Sequence, residues 1–205
     1  MTTTSSTIID VIRHGEPVGG RKYRGKIDDP LSEKGWAQMR AAVGDYAAWQ
    51  QIVSSPLLRC AEFAQELAHN NATTLMIDPR LQEVGFGDWE GKTSAEITAQ
   101  DADLLFNFKR DPIAYRPANA EPIADFYQRV SSAWDELVAQ FCGQHVLIVA
   151  HAGVIRMLVA HVLGMPPEHA YRIQVGSAAI TRFSIEQRDG LMHSNLLFHD
   201  GVLKA

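Results

Sequence analysis

Residues 8–16 read IIDVIRHGE, and this stretch decides the fold. The apolar-rich run Ile8 to Ile12 has the length and β-branched content of a buried strand, after which the chain turns abruptly polar and glycine-bearing. His14 therefore falls at the carboxyl end of a strand, which is where ligands of open α/β sheets bind. Arg13 adds a planar, permanently charged fork suited to phosphate, and Gly15 allows an anion close to the backbone. The tripeptide is short, and a histidine near a strand end is commonly structural, so the rest of the chain has to decide its role.

A second stretch repeats the pattern. His145 to Ala150 is a strongly apolar strand, followed at once by His151-Ala152-Gly153 and an apolar helix over about 154–163. The free amides and dipole at the start of that helix favour an anion. Two strand-end histidines, 14 and 151, meet in one crevice if their strands lie side by side and parallel.

Between these stretches strands and helices alternate. Residues 17–33 are rich in glycine, proline and charge and read as a loop. Its cluster Arg21, Lys22, Arg24 and Lys26 is either a solvated face or an extension of an anion site. Ser32 caps a helix expected over about 33–49, with Trp36 and Trp49 as packing residues. Strands follow at 51–54 and 73–77, flanking a helix that opens at Ser55-Pro56 and runs to His69. Residues 81–92 form a glycine-rich loop anchored by Phe86 and Trp89. One or two short helices over 94–110, a loop over 111–120 and a longer helix over 122–141 complete the middle. After Gly164 the segments 171–175, 179–185 and 191–198 alternate like strands and predict an antiparallel edge, with His193 and His199 at its surface.

Composition bounds the answer without choosing it. The 205 residues suffice for one sizeable core, so a single domain over 1–205 is expected, with residues 1–6 disordered. A net charge of −5 argues against a general nucleic-acid binder. Cys60 and Cys142 have neither metal-ligand spacing nor the count of a disulfide framework. No leader or membrane-spanning run is apparent, since Val146 to Ala160 is interrupted by His151 and Arg156, so a soluble cytoplasmic protein with no membrane partner is expected.

Six motifs in order carry a resemblance. Arg13-His14-Gly15-Glu16, Arg24-Gly25, Asp29-Pro30-Leu31-Ser32 with Gly35 and Gln38, Ser54-Ser55-Pro56-Leu57-x-Arg59, Leu81-x-Glu83 with Phe86-Gly87-x-Trp89-Glu90-Gly91, and Val149-Ala150-His151-Ala152-Gly153 together resemble the histidine phosphatase superfamily, the phosphoglycerate mutase-like fold. The resemblance implies an α/β protein, a three-layer α/β/α sandwich with a mostly parallel central sheet. It implies that His14 is the nucleophile, that Arg13, Arg59 and His151 hold phosphate, and that Glu83 exchanges a proton with the leaving oxygen and then with water. It implies neither metal nor cofactor, and a small phosphorylated metabolite as the partner.

The physical chemistry agrees with that assignment. Phosphoryl transfer needs positioning and charge neutralisation, which two arginine forks and a helix amino terminus supply. An attacking imidazole must be neutral, and neighbouring arginines disfavour its protonation. Two departures stand out. The family commonly continues RHGE with Thr-x-x-Asn, whereas here Pro17 and Gly20 occupy those places, so a backbone amide near Gly19-Gly20, or Arg24, is expected to supply the missing phosphate contact. Of the family's Gly-Glu-Ser turn only Glu121 remains, in Ala120-Glu121-Pro122. The short chain and compact loops favour a phosphatase over a mutase, and around GKIDDPLSEKGWAQM the style is closest to phosphatases of α-ribazole 5′-phosphate in cobalamin biosynthesis. A mutase and a non-catalytic phospho-ligand module are the alternatives.

Overall fold

A computed structural model describes residues 5–188 and 191–203. Six strands, β1 (Ser5–Arg13), β2 (Gln51–Ser54), β3 (Thr74–Ile77), β4 (His145–Ala150), β5 (Ile180–Arg188) and β6 (Leu191–Gly201), form one sheet in the order β3-β2-β4-β1-β5-β6. The first four are mutually parallel, β5 runs antiparallel to β1, and β6 antiparallel to β5. The helices are α1 (Glu33–Val43), α2 (Leu58–Asn70), α3 (Ser94–Thr98), α4 (Leu104–Arg110), α5 (Ile123–Gln140) and α6 (Ala152–Val162).

The central strands are apolar on both sides because helices cover both sides. Ile9, Val11, Val146, Ile148 and Ala150 pack with α5 and α6, whereas Ile12, Leu147 and Val149 pack with α1 and α2. Successive residues of one strand thus feed opposite layers, and the result is the expected three-layer sandwich. A smaller cluster of Trp89, Ile97, Leu105 and Phe108 binds α3 and α4 to the loop after β3. No helix of the described residues is long and apolar enough to cross a membrane.

The polar residue inside β1 is satisfied from three sides. Asp10 is fully buried and accepts from Arg182 Nε at 2.7 Å, Trp49 Nε1 at 2.8 Å and His145 Nε2 at 2.9 Å. Although burial favours its neutral acid, these donors hold its pKa below the usual aspartate value.

Four boundaries differ from the expectations. β1 starts at Ser5, so Ser5 and Ser6 pair with Gln187 and Glu186; residues 1–4 lie outside the described residues. The helix expected over 33–49 stops at Val43 because Gly44 adopts φ 49° and donates its amide back to Arg40. The helix after Pro56 begins at Leu58. Segment 171–175 is not a strand: Pro167–Arg172 is a 3-10 turn, and the carbonyls of Ile173 and Val175 accept from Arg156 and Arg13 rather than from a neighbouring strand.

Candidate active site

The β1–β4 register pairs Arg13 with Ala150, leaving His14 and His151 side by side just beyond the paired ends. Their ring centroids lie 5.2 Å apart with planes inclined at 64°. His14 Nδ1 sits 2.7 Å from the Gly15 carbonyl, which can only accept, so Nδ1 carries the proton and Nε2 keeps its lone pair. Burial, followed by the charges of Arg13 and Arg59, pushes the His14 pKa well below the ordinary histidine value. His151 is fully buried, shares a 2.8 Å hydrogen bond between Nε2 and Ser55 Oγ, and is shifted down by burial and by Arg59. Both rings are therefore neutral near pH 7.

Two cations face this pair. Arg59, fully buried on the first turn of α2, donates to the carbonyls of Ile27 at 2.8 Å and Gly25 at 3.2 Å. Arg13 donates to Val175 O at 2.7 Å, and burial pushes its pKa down to about 10. Among the described residues neither arginine forms an ion pair, and the Nε of each is buried without a hydrogen-bond partner. Buried guanidinium groups lacking a carboxylate are costly unless an anion arrives to meet them.

Glu83 completes the ring of groups. It is buried, and its carboxylate accepts from Val84 N at 3.0 Å and from Gly153 N at 3.1 Å. Gly153 is the second residue of α6, so its amide has no partner inside the helix and the carboxylate sits at the positive helix end. A Cβ at position 153 would stand 2.1 Å from Glu83 Oε1; glycine is there because the carboxylate occupies the place of a side chain.

Comparison with known proteins decides the family. The model of the histidine phosphatase superfamily (branch 1) matches residues 9–195. The chain belongs to the histidine phosphatase superfamily. It is a phosphoric monoester hydrolase. It is similar to an adenosylcobalamin/alpha-ribazole phosphatase of Salmonella typhimurium, 31% identical over 170 residues that cover 80% of this chain and 84% of the other. It is also 32% identical over 176 residues to a bifunctional protein of Mycobacterium tuberculosis, of whose length the match covers 48%. The solved structure of a mycobacterial glucosyl-3-phosphoglycerate phosphatase in complex with VO3 superimposes with a TM-score of 0.83 at 29% identity, covering 93% of this chain and 97% of that one.

In this histidine phosphatase Gly20 and Arg24, both expected as replacements for the absent asparagine, are engaged elsewhere. Gly20 lies at φ 73°, donates its amide to Pro17 O, and accepts at its carbonyl from Arg24. All three nitrogens of the Arg24 guanidinium are turned into the loop, toward Asp29, Gly20 O and Val18 O. Arg24 shapes residues 18–29 rather than presenting a free fork, while Arg21, Lys22 and Lys26 of the same cluster face outward. Gly15 has a packing reason of its own: its missing side chain makes room for the Gly35 carbonyl, since a Cβ there would lie 2.2 Å from it.

The Glu121 carboxylate is committed to an ion pair. It accepts from Arg129 Nε at 2.7 Å and Nη2 at 2.8 Å, and Arg129 in turn donates to the carbonyls of Arg80, Gln82 and Glu83. This clamp fixes the backbone that carries Glu83. Arg129 and Glu90 are the residues that sequence reasoning did not single out for a role. Glu90 accepts from the amide of Phe86 in its own loop and from the amides of Gly25, Lys26 and Ile27, on the loop whose carbonyls face Arg59. Peptide units 24–27 are thereby held between an anion and a cation. Glu90 was visible within its motif, but nothing local revealed its partners; for Arg129 there was no signal beyond its place in a helix.

Proposed function

We propose that this phosphatase hydrolyses a small-metabolite phosphate monoester through a phosphohistidine. His14 Nε2 attacks phosphorus, the P–O bond to the alcohol breaks, and Glu83 delivers a proton to the departing oxygen. A water then attacks the phosphorus of the phosphohistidine, Glu83 takes its proton, and inorganic phosphate leaves with the imidazole restored. The sum is ester plus water giving alcohol plus phosphate. Arg13, Arg59 and the neutral His151 surround the charge that spreads over the phosphoryl oxygens.

One observation supports this reading above the others: a fully buried guanidinium and a partly buried one, neither with a carboxylate and each with a buried, unpartnered Nε, border a buried imidazole whose Nε2 lone pair is available. Glu83 is held in place by an amide of α6 two residues beyond His151. The α-ribazole esters are one candidate substrate class, supported by the Salmonella relative's name and by the style of residues 25–39. Incubating the enzyme with a panel of phosphate esters, including α-ribazole 5′-phosphate and 3-phosphoglycerate, tests the proposal through free phosphate and acid-labile phosphoenzyme. Release of stoichiometric phosphate with label on the protein is expected. Interconversion of phosphoglycerates with little free phosphate would indicate a mutase, and phosphate binding without turnover would overturn catalysis.

A further inference from the structure

Outside the phosphate ring, a partly buried arginine of α6 also lacks a carboxylate. Arg156 sits three residues after Gly153 on α6 and so shares the helix face that meets Glu83, with its long side chain leaning toward the helix amino terminus. Its Nε donates to Ile173 O at 3.0 Å, its guanidinium lies 5.2 Å from the centre of the Tyr171 ring, and it forms no ion pair among the described residues. The Tyr171 hydroxyl is buried with no hydrogen-bond partner, although buried hydroxyls nearly always have one. Phe108 of α4 packs edge-on against the Tyr171 ring at 4.7 Å and fixes its plane.

The position of this pair relative to the phosphate is set by a single stretch of backbone. Arg13 is anchored on Val175 O and Arg156 on Ile173 O, two residues apart, roughly 6–7 Å where the chain is extended. The two guanidinium groups are therefore neighbours along one strip, and the charge of Arg156 is felt at Arg13 and at Tyr23. The negative charge of Glu83 reaches Tyr171 and Arg13 alike. Because Glu83 faces the leaving oxygen, the rest of the alcohol extends on this flank, toward Arg156 and Tyr171.

We propose that Arg156 and the Tyr171 hydroxyl form a second anion subsite that receives a carboxylate on the alcohol portion of the substrate. The inference rests on the phosphatase reading for which group is the leaving one. It narrows the substrate class to phosphate monoesters of small hydroxy acids, in which an acid group lies a few bonds from the ester oxygen, and so sets aside the α-ribazole esters, which carry no carboxylate. The unfilled hydroxyl and the unpaired guanidinium are what such a carboxylate would satisfy in one step, by a charge-assisted pair and a hydrogen bond.

O-phosphoserine and O-phosphoethanolamine differ by one carboxylate and form the test pair. The wild-type enzyme is expected to favour phosphoserine in kcat/KM by roughly 10–100-fold, the range of a charge-assisted hydrogen bond. Arg156→Gln should bring that ratio close to one, mainly through KM. Tyr171→Phe, which removes only an unpartnered hydroxyl and so should fold, should lower the ratio several-fold. Equal use of both esters by the wild type, or an unchanged ratio in Arg156→Gln, overturns the subsite. Calorimetric titration of the two esters into wild type and Arg156→Gln separates the two readings. Tighter binding of phosphoserine that depends on Arg156, with no turnover of either ester, supports the subsite while the phosphatase reading falls.

Discussion

Gly153→Ala should disable the proton shuttle while leaving the fold in place. The added Cβ would stand 2.1 Å from Glu83 Oε1 and 3.1 Å from the Phe126 ring. Non-bonded heavy atoms settle near 3.5 Å, so the carboxylate must retreat by about 1.4 Å and release the Gly153 amide. A misplacement of about 1 Å costs on the order of 100-fold, and loss of general acid–base catalysis spans roughly 10²–10⁴, so kcat on an alkyl phosphate should fall by roughly 10²–10³. That corresponds to about 3–4 kcal/mol in the barrier. An aryl phosphate, whose leaving group needs no proton, should still phosphorylate the enzyme and then stall, so stopped-flow traces should show a burst of phenol near one equivalent. Alanine is the better helix former, and Tm should stay close to that of the wild type. Glu83→Gln combined with Gly153→Ala should be no worse than the worse single variant, because both remove one group. Near-wild-type kcat on an alkyl ester, or additive losses in the double variant, would refute the reasoning.

Three further outcomes are expected. Arg59→Met replaces a buried, unpaired cation by an apolar chain of similar length; it should stabilise the free protein by about 1–4 kcal/mol, a Tm rise readable by calorimetry, while kcat falls roughly 10²–10³-fold. A lower Tm with intact activity would contradict this. Folding holds His14 and His151 well below their ordinary pKa, so the unfolded chain binds more protons below about pH 6.5. Their contribution is thus present above that pH and lost as pH falls, and Tm measured from pH 7.5 to 5 should decline with a slope that His151→Gln reduces; a flat profile would speak against two neutral buried imidazoles. Asp10→Ala leaves the partly buried Arg182 without its carboxylate and should cost about 1–3 kcal/mol in urea unfolding, whereas no loss would show the network to be dispensable.

The alternation of buried strands with amphipathic helices made the layers legible, because β1 and β4 are apolar on both sides and only helices on both faces can cover them. The errors came where tertiary contacts outweighed a local pattern. Tyr46 and Trp49 carry helical spacing, yet Gly44 ends α1 and both residues reach the core from a loop, where Trp49 meets Asp10. Tyr171, Ile173 and Val175 alternate as in a strand, but Tyr171 lies in a 3-10 turn and the carbonyls of Ile173 and Val175 are drawn to arginines. The strand-end histidines could be read in advance because their place follows from hydrophobic boundaries. The loop clamps of Glu90 and Arg129 could not, since their partners lie up to 65 residues away in the chain and charged residues leave no periodic trace. Gly153 carried a signal, in a motif where small residues follow the histidine, but its reason appears only when Glu83 is seen lying across it.

The most direct measurement is to quench the enzyme in alkali during turnover of a phosphorus-labelled ester and locate the label by peptide mapping and phosphorus NMR. Nε2-phosphohistidine at position 14, absent in His14→Ala, is the expected result, because Nδ1 is committed to the Gly15 carbonyl. Label on Nδ1, on His151 or on no residue at all during steady hydrolysis would contradict the central claim.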